Sequence, residues 1–156
     1  MAHCGLRPNN ANNDVPPLSK PSPAPSVAEL LTLPRLRPAW QALLVLLLLV
    51  ISYLAWAPAP PRALDSGWDK LNHLAAFATL AFTAWHSAAR PRTRWLWAPL
   101  ALLGYGVLIE LVQSQLPPRE ADPADVLADA CGLALGLLLT LALHALLRRW
   151  ARLTRS

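Results

Sequence analysis

The chain has 156 residues, of which 54% are apolar (AVILMFWYC) and only 15% are charged. Soluble domains average about 45–50% apolar and about 25% charged, and a domain this small leaves roughly 30% of its unfolded surface exposed, which argues against an ordinary soluble enzyme. Fourteen Lys and Arg against nine Asp and Glu give a net charge of +5, a balance that suggests a polyanion or an anionic surface as partner, while two cysteines, Cys4 and Cys131, make no disulfide framework.

Residues 1–37 are rich in Pro, Asn, Ser and Ala. Such a stretch cannot bury enough surface to offset its ordering entropy, which predicts a disordered tail with at most a short helix over 27–33. After Arg37 the character changes. Residues 38–61 carry no charge over 24 positions, residues 71–89 none over 19, residues 95–118 only Glu110 over 24, and residues 130–147 none over 18. A span of the hydrocarbon core needs about 20 apolar residues. The reading is therefore an all-α integral membrane bundle of four transmembrane helices near 39–57, 69–88, 95–116 and 124–147. It divides the chain into a tail (1–37), the membrane domain (38–150) and a short basic C-terminal tail (151–156). A cleavable leader ending at Ala55-Trp56-Ala57 does not fit, because the preceding stretch and its apolar run are both too long.

All seven tryptophans, Trp40, Trp56, Trp68, Trp85, Trp95, Trp97 and Trp150, fall at expected helix ends, as indole rings favour the headgroup level. Eleven of the fourteen basic residues lie in the N-terminal tail, the second loop and the C-terminus; the remaining three are Arg62, Lys70 and Arg119. The positive-inside rule places both termini in the cytoplasm. The net +5 is then an average over two unlike faces. Nucleic acid is not the expected partner, since the basic residues divide among three segments and lack a reading motif.

Most acids collect on the opposite, outer side, and their spacing is informative. Asp69, Asn72, His73 and Ala76 share one face of the second helix; Leu103, Gly106, Glu110 and Gln113 one face of the third; Asp125, Asp129, Gly132 and Gly136 one face of the fourth. Ionisable groups in a spanning segment cost about 2.5–3.5 kcal/mol at its centre and normally face the bundle interior, so these faces are expected to converge. Gly132 and Gly136 form G-x-x-x-G, which admits a close helix neighbour. Asp69 and Asp125 are equally explicable as helix N-terminal acids, Asp69 after Ser66 with capping-box spacing and Asp125 in Asp122-Pro123-Ala124-Asp125. Glu110 lies too deep to be a cap, and capping hardly accounts for Asp129. His73 can be a ligand, a proton carrier or a partner of Asp69 at i−4. Lys70 and Arg119 are expected as counter-ions or headgroup contacts, and His86 and His144 as interfacial residues at the cytoplasmic ends.

Three segments together resemble the VanZ-like family. Asp69-Lys70-Leu71-Asn72-His73 is similar to its D-K-x-x-H opening. Ile109-Glu110-Leu111-Val112-Gln113 with Pro117-Pro118-Arg119 is similar to its E-x-x-Q…P-x-R segment. The stretch from Asp125 through Asp129 and Gly132 to Gly136 is similar to its D-x-x-x-N-x-x-G-x-x-x-G, with Asp129 where the family usually has Asn. The resemblance implies a small multi-pass protein of the bacterial inner (cytoplasmic) membrane, in a family named after an accessory protein of teicoplanin resistance.

Three functions are compatible with these residues. In the first, a non-enzymatic envelope protein binds an envelope lipid, a cell-wall precursor or a glycopeptide at an outer polar site of Asp69, Lys70, His73, Glu110, Gln113, Arg119, Asp125 and Asp129. In the second, an intramembrane enzyme uses His73 and Glu110 as an acid–base pair, or holds a divalent metal between His73, Glu110, Asp125 and Asp129. In the third, Glu110, Asp129 and His73 relay protons in a small-solute transporter. The sequence has no H-E-x-x-H or paired-His metal motif and no Ser or Cys nucleophile on these faces, so the expectation is the first function, with no cofactor and no bound metal.

Overall fold

The computed structural model describes residue 31 and residues 33–57, 68–116 and 122–154. The tail before residue 31, and Asp65, Ser66, Arg119 and Glu120, lie outside the described residues. Four long helices follow one another: α1 (Arg37–Trp56), α2 (Asp69–Ser87), α3 (Ala98–Gln113) and α4 (Pro123–Leu153). A 3-10 turn, Pro34–Leu36, precedes α1, and a π-helical segment, Thr93–Trp97, leads into α3. There is no strand among the described residues.

Local chemistry explains the helix boundaries. Pro38 and Pro123 each occupy the first turn of a helix, where the missing N–H costs nothing and the fixed φ is already helical, whereas Pro99 follows directly on the π-helical segment Thr93–Trp97 within a continuous helical run. Asp122 caps α4, its Oδ1 accepting from the Ala124 N–H at 2.8 Å. α1 stops at Ala57, whose extended backbone (φ −66°, ψ 132°) is what a residue preceding proline requires. Upstream, the Trp40 indole N–H donates to the Leu31 carbonyl at 3.1 Å, so contacts with α1 reach back to residue 31. At 31 residues α4 runs six residues beyond its expected end, through Arg148, Arg149 and Arg152. At about 1.5 Å per residue it is longer than a hydrocarbon core of about 30 Å.

The helices alternate in direction. Contacts such as Gln41 to the Ser87 carbonyl and His73 to Glu110 set α2 antiparallel to α1 and α3, whereas Lys70–Asp122, His73–Asp129 and His86–His144 run parallel from one end of α2 and α4 to the other. Three of the segments, Pro34–Trp56, Thr93–Gln113 and Pro123–Leu153, are long and apolar enough to cross a membrane. Leucines and valines on their outer sides stay exposed, among them Leu46, Leu49, Leu108, Leu138 and Leu146. α2 carries more polar residues than these, and it is also the helix with the most buried side chains, whereas α1 has none. A helix screened by its neighbours needs no continuous apolar surface of its own.

The core of Phe77, Leu80, Ala81, Ala84, Leu102, Ile109 and Leu133 occupies the middle of the bundle. Lipid tails are as apolar as leucine, so in a bilayer such a core is held by close packing and interhelical hydrogen bonds and gains little from water exclusion. α2 and α4 approach closely: Gly132 lies against the Leu74 carbonyl and Gly136 against the Ala78 carbonyl, with no room for a β-carbon at either. Tyr105 fastens α3 to α1 through Ser52 (2.8 Å) and the Leu48 carbonyl (3.1 Å).

The end of the bundle away from the acids holds a feature the sequence reading missed. His86 and His144, expected as interfacial residues, are buried at 2% and 9% exposure and meet Nε2 to Nε2 at 3.2 Å, with the Trp40 ring against His86. His86 Nδ1 lies 2.8 Å from the Phe82 carbonyl. A carbonyl can only accept, so Nδ1 carries a proton, and with His86 neutral the His144 Nε2–H donates to it. Replacing His144 by Phe strands the His86 Nε2 acceptor, and interhelical hydrogen bonds in membranes are worth about 0.6–2 kcal/mol. A loss of about 1 kcal/mol is expected in thermal unfolding of the detergent-solubilised protein, with His144→Gln, which keeps a donor, retaining more of the stability. Equal stability of H144F and wild type would mean that the pair contributes nothing.

Candidate functional site

The polar site forms at the end of the bundle where α2 and α4 begin and α3 finishes. His73 is its centre, one turn into α2 and 7% exposed. Its Nδ1 is hydrogen-bonded to Asp129 Oδ1 at 2.8 Å, and its Nε2 lies 3.7 Å from Glu110 Oε1. Asp129 is wholly buried, Glu110 is 6% exposed and Asp125 is 3% exposed. The carboxyls of α3 and α4 thus flank one imidazole of α2, so the three polar faces expected from the spacing do meet.

Each carboxyl is held differently. Glu110 Oε2 accepts from the Asp122 backbone N–H at 3.0 Å, tying the end of α3 to the start of α4, while Glu110 Oε1 is buried without a hydrogen-bond partner. Asp129 Oδ2 is likewise buried and unpartnered. It fits because α3 has Gly106 opposite: a β-carbon there would collide with this oxygen and crowd Phe77. Gly106 therefore makes the space that a buried aspartate needs.

Lys70 acts as a counter-ion. Its Nζ contacts Asp122 Oδ2 and lies 3.4 Å from Asp125 Oδ1, with the lysine side chain 39% exposed. The Lys70 ammonium and then the Ala124 N–H hold the Asp122 carboxyl below the usual carboxylate range. Asp69 is exposed at the start of α2, where the N-cap position is Trp68 without a side-chain cap bond. Gln113 faces away from the cluster: it is buried, and its Nε2 donates to the Ala55 carbonyl at 3.1 Å, satisfying the end of α1. Arg119 lies outside the described residues. Cys131 is exposed and Ser114 bonds only locally, so neither faces the imidazole.

Charge is unbalanced at this end. Among the described residues Asp69, Glu110, Asp122, Asp125 and Asp129 face one lysine and one histidine. Beside the cluster, between α2 and α4, runs an open groove of about 270 Å³ with apolar walls that include Trp68, Leu71, Leu74, Leu127, Cys131 and the apolar stem of Lys70.

The sequence matches the family model described as VanZ/LLP1 over residues 24–145, beginning within the expected tail. It is also 33% identical over 105 residues to an uncharacterized protein of the fission yeast Schizosaccharomyces pombe, C11E3.10, a match covering 66% of this chain and 63% of that relative. No solved structure matches.

Proposed function

The chain belongs to the VanZ/LLP1 family, and from that premise we propose that it is a four-span membrane protein that binds a lipid-like amphiphile at its polar end. The alternating helix directions and the buried position of α2 support a fourth span, and with an even number of spans both termini lie on one side, where the basic residues place the cytoplasm. The membrane we assign is the bacterial cytoplasmic membrane, on the family resemblance. An envelope lipid, a cell-wall precursor or a glycopeptide such as teicoplanin are narrower forms of this reading, all amphiphiles or their polar parts.

The observation that carries the proposal is the groove between α2 and α4. Its walls suit an acyl chain, and the half-exposed Lys70, whose stem lines it, offers a cation for an anionic headgroup. Cys131 in its wall supplies the test. In a Cys4→Ser protein, adding phosphatidylglycerol to a delipidated detergent preparation is expected to slow N-ethylmaleimide alkylation of Cys131 severalfold, and mass spectrometry should find a recurrent copurifying lipid. Leu127→Trp, which fills the groove, should abolish retention of that lipid. Equal alkylation rates with and without lipid, together with no retained lipid, would overturn the proposal.

A second reading has one observation in its favour. The row Asp129–His73–Glu110 is the arrangement of an imidazole positioned by one carboxylate and facing another, as general acid–base chemistry on a lipid-linked substrate would use. A proton relay across the membrane has less support: Phe77, Leu80, Ala81 and Leu133 form a buried apolar layer between His73 and the distant His86–His144 pair.

A further inference from the structure

We propose that the polar end is a binding site for a divalent first-row transition ion such as Zn²⁺ or Mn²⁺, with Asp69, His73 and Asp125 as ligands, Glu110 facing the same imidazole, and Asp129 as the residue that orients the histidine. This proposal does not rest on the lipid reading. Asp69, His73 and Asp125 each bring one potential ligand atom to within 4.8 Å of the other two. Ions of this class bind nitrogen and oxygen at about 2.0–2.2 Å, so two ligands on opposite sides lie about 4.2 Å apart, and a side-chain adjustment of well under 1 Å closes the group. Asp69, exposed on the first turn of α2, has the freedom to make it.

A cluster of acids alone says little, but a separate observation points to a cation as its partner. Glu110 Oε1 is buried without a donor, on a side chain 7% exposed, and it is aimed at His73 Nε2 from 3.7 Å. That nitrogen is the one Asp129 leaves free, because Asp129 Oδ1 holds Nδ1 at 2.8 Å. Metal-bound histidines almost always donate their other ring N–H to such a carboxylate, which fixes the tautomer and raises the ligand's basicity. Lys70 reaches one of the proposed ligands, Asp125, at 3.4 Å and pairs more closely with Asp122, but among the described residues it makes no ion pair with Asp69 or Glu110. The donor set also selects the ion: one imidazole with carboxylates suits Zn²⁺ or Mn²⁺ better than the all-oxygen shells of Ca²⁺ and Mg²⁺. No contiguous metal motif announces this site, since its ligands come from two helices; compared with the set considered from the sequence, Asp69 enters as a ligand and Asp129 becomes the orienting residue.

The test uses the full-length protein in detergent, dialysed against Zn²⁺ or Mn²⁺ and analysed by elemental mass spectrometry and calorimetric titration. About one ion per chain is expected. Asp69→Asn and Asp125→Asn should each weaken binding at least tenfold. Asp129→Asn should weaken it by about 10- to 100-fold with unchanged stoichiometry, the usual range for a residue that positions a ligating histidine. Asp69 is exposed, so its variant keeps the test informative if a buried one fails to fold. His144→Gln, at the opposite end of the bundle, should bind the ion as wild type does. The proposal is overturned if wild type retains no ion, if Asp69→Asn and Asp125→Asn both bind as tightly as wild type, or if His144→Gln removes binding, which would locate the ion at the other end of the bundle.

Discussion

Gly136→Val is expected to abolish the native α2–α4 contact, while the same change at Gly104 has no effect. At Gly136 a β-carbon would overlap the Ala78 carbonyl and also crowd the Ala81 side chain, whereas at Gly104 it meets nothing within 4 Å. Backbone cannot yield as a flexible side chain can, so the helices must separate. Overpacking a well-filled site costs about 1–3 kcal/mol and occasionally more, and a clash with backbone belongs at the upper end. Separation would also loosen the hydrogen bonds that join α2 to α4 at both ends, because they depend on the same helix spacing. Thermal unfolding in detergent, followed by loss of monodisperse protein on size exclusion, should show Gly136→Val unstable or unrecoverable and Gly104→Val within about 0.5 kcal/mol of wild type. Similar behaviour of the two variants would show that α4 does not meet α2 through its glycines.

The second large effect lies in the His73–Asp129 pair. Removing one member of a buried pair leaves the other uncompensated, at a cost of about 3–5 kcal/mol in soluble proteins. Interhelical couplings measured in membranes are smaller, up to about 1.7 kcal/mol. His73→Phe is the severe case, because it leaves both oxygens of a wholly buried carboxyl without a donor. A destabilisation of about 3 kcal/mol is expected. Adding Asp129→Leu should recover part of it, since an apolar pair has nothing to satisfy, and the double-mutant cycle should give a coupling of about 1–2 kcal/mol. Asp129→Asn keeps an acceptor for His73 and introduces the residue usual in the VanZ-like motif, so its cost should stay below about 1 kcal/mol. Additive single-mutant effects in the cycle would mean that the hydrogen bond contributes no coupling.

These contacts separate what is readable along a chain from what is not. The long apolar runs and their flanking tryptophans mark α1, α3 and α4 directly, because hydropathy is a property of consecutive residues. Of the seven tryptophans, Trp56, Trp68, Trp95, Trp97 and Trp150 stand exposed near helix ends. Helical periodicity likewise placed His73, Glu110 and Asp129 on inward faces, since a 3.6-residue period fixes which residues share a side. Periodicity also grouped Gln113 with Glu110, yet Gln113 serves the end of α1 instead. A face about 100° wide reaches more than one neighbour, and spacing alone does not say which.

By itself the sequence determined the helical class, the apolar segments fit for a membrane and the residues that needed an interior, because solvation acts on each residue where it stands. The tertiary structure alone decided the partners. His73 could have turned to Asp69 four residues before it, but its Nδ1 meets Asp129, 56 positions away. The choice depends on how α4 is rotated and set in register against α2. That register is imposed by Gly132 and Gly136 against the Leu74 and Ala78 carbonyls, and by the space Gly106 leaves for the Asp129 carboxyl. The same register joins His86 to His144 at the opposite end. Packing between helices fixes rotation and register, and neither is encoded in the periodicity of any one helix.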